Sequence, residues 1–213
     1  QKVVIAKWLA TRPKVIIPGD LDSAEASGSR EVSDVQQLLN AFTNAASRAN
    51  IRAQSRSGKV PADQIASILA EHARFSDLTL VPVRPHDSQT ERIIETLLFE
   101  SGRPVIFVPY IQKGGMKTDR IMVCWDGGRA ASRAVADAMP FLKKAKQVEI
   151  VIISNKPAKD NEVPGADLGQ HLARHGLKVD IKRITSPDND VPSTILSHAA
   201  DSSADMIVMG GYG

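Results

Sequence analysis

Two stretches of the chain run in parallel, VPADQIASILAEHARFSDLTLVPV at 60–83 and VPSTILSHAADSSADMIVMGG at 191–211. Each opens on Val-Pro, passes through an Ile-Leu pair and alanines at helical spacing, reaches an Asp (Asp77, Asp205) and ends in a short apolar run. The likeness extends backwards. VQQLLNAFTNAASRANIRAQSR (35–56) and ADLGQHLARHGLKVDIKRI (166–184) each read as a helix running into a polar-alternating strand, with Gly176 as the helix stop in the second. Ahead of them lie KVIIPG (14–19) and VEIVIISN (148–155). Continuous apolar runs of this length belong to strands covered on both faces of a parallel sheet. A repeat of this kind constrains the fold more than composition does, because each copy has to bury the same set of apolar elements.

The repeat predicts two copies of one α/β unit, a first domain over 1–112 and a second over 119–213, joined by the glycine-paired linker IQKGGMKTD at 111–119. The second copy starts cleanly. RIMVCWD (120–126) is a strand, GRAASRAVADAMPFLKKA (128–145) a helix and 148–153 the next strand, which implies a right-handed parallel crossover. In the first copy only 13 residues precede KVIIPG, too few for a strand and a crossover helix. That copy instead has an ending: DSQTERIIETLLFESG (87–102), a helix capped by Asp87 or Ser88 and stopped by Gly102, then the strand RPVIFVPY (103–110). The second copy has no such ending, so the sequence is expected to be short at both ends, the first copy at its start and the second at its finish.

Composition narrows the function classes. The chain has 213 residues, of which 42% are hydrophobic and 24% charged, the balance of a globular protein. No apolar run reaches the roughly 18–20 residues that cross a bilayer, and QKVVIAKWLA does not read as a signal peptide, so no membrane partner is expected. Cys124 is the one cysteine, which rules out an intrachain disulfide and favours a reducing cytoplasm. The formal charge of +3 is scattered and rarely interleaved with aromatics, so no nucleic-acid partner is expected either.

An apolar strand ending in Asp, IMVCWDGG, then the step ADMIVMG into a G-x-x-G loop, and a PVIFVP strand after a helix, together with the duplication, resemble the universal stress protein family in its tandem two-domain form. The resemblance runs from about Lys14 to Gly213. It implies α/β architecture: two flavodoxin-like (adenine nucleotide alpha-hydrolase-like) doubly wound parallel-sheet domains in tandem. It also implies ATP or a related adenine nucleotide as ligand, with Mg²⁺ allowed beside it, and slow or absent catalysis. By the same analogy PVIFVPY pairs domains or subunits, as an intrachain pseudo-dimer with a further homodimer allowed; other protein partners are unspecified.

The expected site lies in the second copy. Gly210, Gly211 and Gly213 follow the strand DMIVM, and glycine lets backbone N–H groups turn inward and a phosphate approach closely. Gly210 and Gly213 match the first two motif glycines of the family. Asp126 and Gly127 stand at the carboxyl end of the copy's first strand, where doubly wound sheets bind ligands. Asp126 also suits capping of the following helix. By resemblance Asp126 lies beside the adenosine and the strand end at Ile153 and Ser154 carries the adenine. Aligning Asp77 with Asp205 puts Pro82 and Pro85 at the Gly210 and Gly213 positions, and proline has no N–H to offer. The first copy is therefore expected to lack the site, with Arg84 and His86 as solvated side chains.

Other groups carry less. Cys124 reads as a small buried hydrophobe and Trp125 as packing under a helix. His171 and His175 share a helix face but lack an H-E-x-x-H pattern, and with His72 and His198 they read as structural or surface histidines. There is no G-x-S-x-G elbow or G-x-x-x-x-G-K-[ST] loop. An adenylate-forming ligase would need Ser-Gly-Gly-x-Asp-Ser where the chain has DGGRAAS. A module of the same fold that acts through protein partners without nucleotide is the main alternative.

Overall fold

The structure, a computed structural model, describes residues 28–55, 60–83, 88–112, 115–154, 164–186 and 190–211. The strand expected at 14–19, Arg84, Pro85, His86, the Asp87 cap and Gly213 lie outside the described residues. The chain divides into two compact units, Gln1–Gly115 and Met116–Gly213.

In the first unit, α1 (Gly28–Arg48) is followed by a 3₁₀ turn (Ala62–Gln64), α2 (Ile65–Arg74), β1 (Thr79–Val83), α3 (Ser88–Glu100) and β2 (Val105–Pro109). β1 and β2 pair in parallel, from Thr79 opposite Val105 to Val83 opposite Pro109. Ala70 and Ala73 of α2, Val81 of β1, and Ile93 and Leu97 of α3 form the buried core. The alanines keep α2 close to its neighbours, which is why the helix is Ala-rich on that side.

Among the described residues, the strand expected after α1 is not formed. The described part of 51–56, Ile51–Ser55, is irregular. α1 closes on Asn50 in the left-handed region (φ 54°). The Ile51 N–H bonds the Ala46 carbonyl at 2.9 Å and the Asn50 N–H the Ser47 carbonyl at 3.0 Å, a Schellman cap. Beyond it residues 52–55 are exposed, so the alternation has no apolar side to bury.

The second unit runs β3 (Arg120–Cys124), α4 (Arg129–Leu142), β4 (Gln147–Ile153), α5 (Ala166–Arg174), β5 (Val179–Ile184), α6 (Val191–Asp201) and β6 (Met206–Val208). The four strands are parallel in the order β5-β4-β3-β6. β3 and β4 are central, with Ile121, Met122, Val123, Val148, Ile150, Val151 and Ile152 buried, as the apolar runs within them require. Helices cover both faces. A Cβ at Gly169 of α5 would stand 3.0 Å from Ile181 Cδ1, so that helix lies directly on the Ile150–Ile181 side. Ile195 of α6 is buried with Met122 and Val151 on the other side. The repeated Asp has a structural explanation in this unit: Asp205 Oδ2 accepts the Arg120 N–H at 2.9 Å and its own N–H bonds the Arg120 carbonyl, tying β6 to β3 at the amino end of the sheet.

Candidate functional site

From β3 the chain winds one way to β4 and β5, then returns across the sheet to β6 on the other side of β3. The gap at the carboxyl ends of β3 and β6 is thus the point where the winding reverses, the place where open α/β sheets take ligands. Trp125 to Gly128 leave β3 there, and Met209 to Gly211 leave β6.

The first turn of α4 is where the two segments meet. Gly127 takes φ +78°, which a side chain would resist. The exposed Asp126 turns its carboxylate back, and Oδ1 accepts the Gly128 N–H at 2.7 Å. Gly128 is the N-cap of α4 and has no side chain to satisfy the helix amides. α6, by contrast, is capped by Asp190, which accepts the Ser193 N–H at 3.1 Å. From the other side, Gly210 lies directly on the helix start. A Cβ there would be 2.8 Å from the Ala130 Cβ and from the Ala131 nitrogen, too close for any atom. Gly210 therefore has a packing reason to be glycine whatever else it does.

The fold brings Asp126, Gly127 and Gly210 together at the α4 start, with Gly211 next in the turn. Ile153 ends the neighbouring strand β4. Its side chain packs toward α6 against the Met122–Val151–Ile195 cluster, and the Ser154 N–H bonds the Ile184 carbonyl at 3.1 Å. Pro82 of the first unit lies within β1, opposite Val108, and the strand continues through Val83, whose carbonyl accepts the Tyr110 N–H at 3.0 Å. The strand thus continues where its counterpart in the second unit has already turned.

The remaining groups have local roles. Burial pushes the Cys124 thiol up to about 11. The His171 and His175 rings meet edge to face, 5.0 Å apart, on the exposed side of α5. An open depression of about 470 Å³ lined by Ser47, Asn50, Ile51 and Arg52 belongs to the first unit. Two features escaped the sequence. Arg129, the first residue of α4, stands next to the site. His198 of α6 places Nε2 2.6 Å from Glu149 Oε2 of β4 in a partly buried pair, with side chains 11% and 23% exposed. No local pattern announces a pair 49 residues apart.

No protein-family model and no curated protein matches the sequence. Among solved structures, a universal stress protein from Archaeoglobus fulgidus DSM 4304 superimposes with a TM-score of 0.68 at 18% identity, over 92% of this chain and 71% of that one. A universal stress protein family member from Burkholderia pseudomallei matches 46% of this chain and 83% of its own, with a TM-score of 0.37 at 21% identity. At 18% identity the first likeness speaks to architecture, and it agrees with the parallel sheets and alternating helices described above: the chain has the α/β fold of a universal stress protein.

Proposed function

We propose that the second unit binds ATP or a related adenine nucleotide where β3 and β6 part, and that the chain is a stress-response module of the universal stress protein kind. Nucleotide state would bias a conformation or a partner contact. The observation that carries this reading is the contact of Gly210 with the first turn of α4. A side chain at 210 would collide with the Ala130–Ala131 backbone, so glycine is what lets the β6 exit turn lie against a helix start that has no side-chain cap. The donors present suit phosphate: backbone N–H groups of Gly127, Gly210 and Gly211 beside a helix amino end. Asp126, exposed at the end of β3, suits ribose hydroxyls, and the β4 end at Ile153 the adenine. Mg²⁺ would accompany the phosphates.

Titration of the full chain with a fluorescent ATP analogue tests this. Saturable binding is expected. Asp126→Ala should weaken it about 10- to 100-fold, as for loss of a hydrogen bond to a charged group. Asp126→Asn, which can still accept the Gly128 N–H, separates loss of ligand contact from loss of the turn. Absence of saturable binding, or binding indifferent to Asp126→Ala, would refute the proposal. The second reading, a partner-binding module without nucleotide, draws on β1: its strand carries Pro82 at the position of Gly210 and makes no glycine turn there.

A further inference from the structure

The carboxyl end of α5 carries two histidines one turn apart, His171 within the last turn and His175 as the C-cap. Residues four apart share a helix face, and here it is the outer face. Leu168, Gly169 and Leu172 are buried against the sheet, which fixes the helix backbone. His171 and His175 are left exposed. Their rings meet edge to face with centroids 5.0 Å apart. Among the described residues neither ring has a hydrogen bond or an ion pair.

We propose that His171 and His175 chelate one zinc ion on the outer face of α5. This site is independent of the nucleotide reading given above. Imidazole nitrogen suits zinc and its neighbours in the first transition row, and two imidazoles on successive turns of one helix form a preorganised bidentate chelate. Zinc takes its nitrogens at about 2.0–2.1 Å. Rings already in contact need only turn about their own side-chain bonds to aim one nitrogen each at a shared ion. The place in the helix adds to this. The ion would lie by the negative end of the α5 dipole, where cations are favoured. Asp167, exposed one turn ahead of His171, adds a negative charge, whereas Arg174, exposed beside the pair, opposes a cation and limits the affinity. Among the described residues no three His, Cys, Asp or Glu side chains gather round one point. Water therefore completes the coordination, and the site is an open, reversible one, unlike the closed four-ligand cage of a structural zinc.

Calorimetric titration of the metal-stripped full chain with zinc chloride tests this, for the native protein, His171→Gln, His175→Gln and the double variant. Saturable binding of about one equivalent is expected in the native protein. Each single variant should weaken it at least about tenfold, since loss of even an outer-shell partner costs that much. The double variant should be no more than about twofold weaker than either single one, because the chelate is already lost with the first ligand. Excess Mg²⁺ should not displace the zinc, since it prefers oxygen ligands. Far-UV spectra of the variants should match the native one, both residues being exposed. Single variants that keep native affinity place the zinc elsewhere and overturn the proposal. Losses that simply add in the double variant mean two separate imidazoles and overturn it too, as does the absence of saturable binding in the native protein.

Discussion

Cys124 ends β3 with its side chain against the core beneath α6, and the burial raises its thiol from 9.0 to about 11. The folded protein therefore holds the thiol proton more tightly than the unfolded chain. The stability this contributes is complete below about pH 9 and is lost as pH rises toward 11. At pH 8 the native thiolate fraction is about a hundredfold lower than in the unfolded chain, so iodoacetamide should modify Cys124 slowly in the native protein and readily in denaturant. Equal rates would show that the thiol is not protected. Thr79 is the reverse case, a polar group in an apolar place. It is 1% exposed and its Oγ1 has no hydrogen-bond partner among the described residues. The aligned residue in the second copy is Ile207, packed against an apolar cluster. Thr79→Val should raise the urea midpoint by an amount worth about 1 kcal/mol, because it removes an unsatisfied hydroxyl without changing shape. A lower midpoint would disprove that account. The inward placing of Cys124, partly buried, was legible in its strand sequence, whereas the unsatisfied Thr79 was not, since threonine is ordinary in a strand.

Among the elements, those with an apolar side were legible, whereas polar alternation alone did not tell a strand from irregular chain. IRAQSR and KVDIKRI have similar polar alternation, yet Ile51–Ser55 is irregular whereas Val179–Ile184 is a strand, β5. β5 lies beside β4, in a ladder from Val148 opposite Val179 to Ile153 opposite Ile184. A partner strand can outweigh a weak local pattern, because pairing satisfies every backbone group along one edge. Helix stops were easier to read. Gly176 takes φ +82° and closes α5 as expected, but Asn50 (φ 54°) and Ser203 (φ 53°) do the same for α1 and α6 without glycine. The junction of β6 with α4 is the tightest element contact at the site. Gly210→Ala would drive a methyl group into helix backbone that cannot swing aside, and should cost about 1–3 kcal/mol in denaturant unfolding. If the nucleotide reading holds, the same change should abolish binding. A variant of native stability would mean that the β6 exit turn is free to move.

For the whole molecule, the second unit has a sheet of its own, with Ile121, Val123, Leu142, Ile150, Val151 and Leu172 buried inside it. Residues 116–213 expressed alone should therefore give an α/β far-UV spectrum and a cooperative melt; a featureless, non-cooperative transition would show dependence on the first unit. None of the helices among the described residues is long and apolar enough to cross a membrane. The sequence by itself determined the class: helices alternating with strands, parallel sheets, and the carboxyl strand ends as the place to look. These follow from periodicity and from the length of apolar runs, which are local properties. Tertiary structure alone decided the order β5-β4-β3-β6, the meeting of Gly210 with Ala130 and Ala131, the placing of Arg129 beside that turn, and the pairing of Glu149 with His198. Each of these joins residues far apart in the chain. A one-dimensional pattern states which face of an element is apolar but not which distant element will cover it.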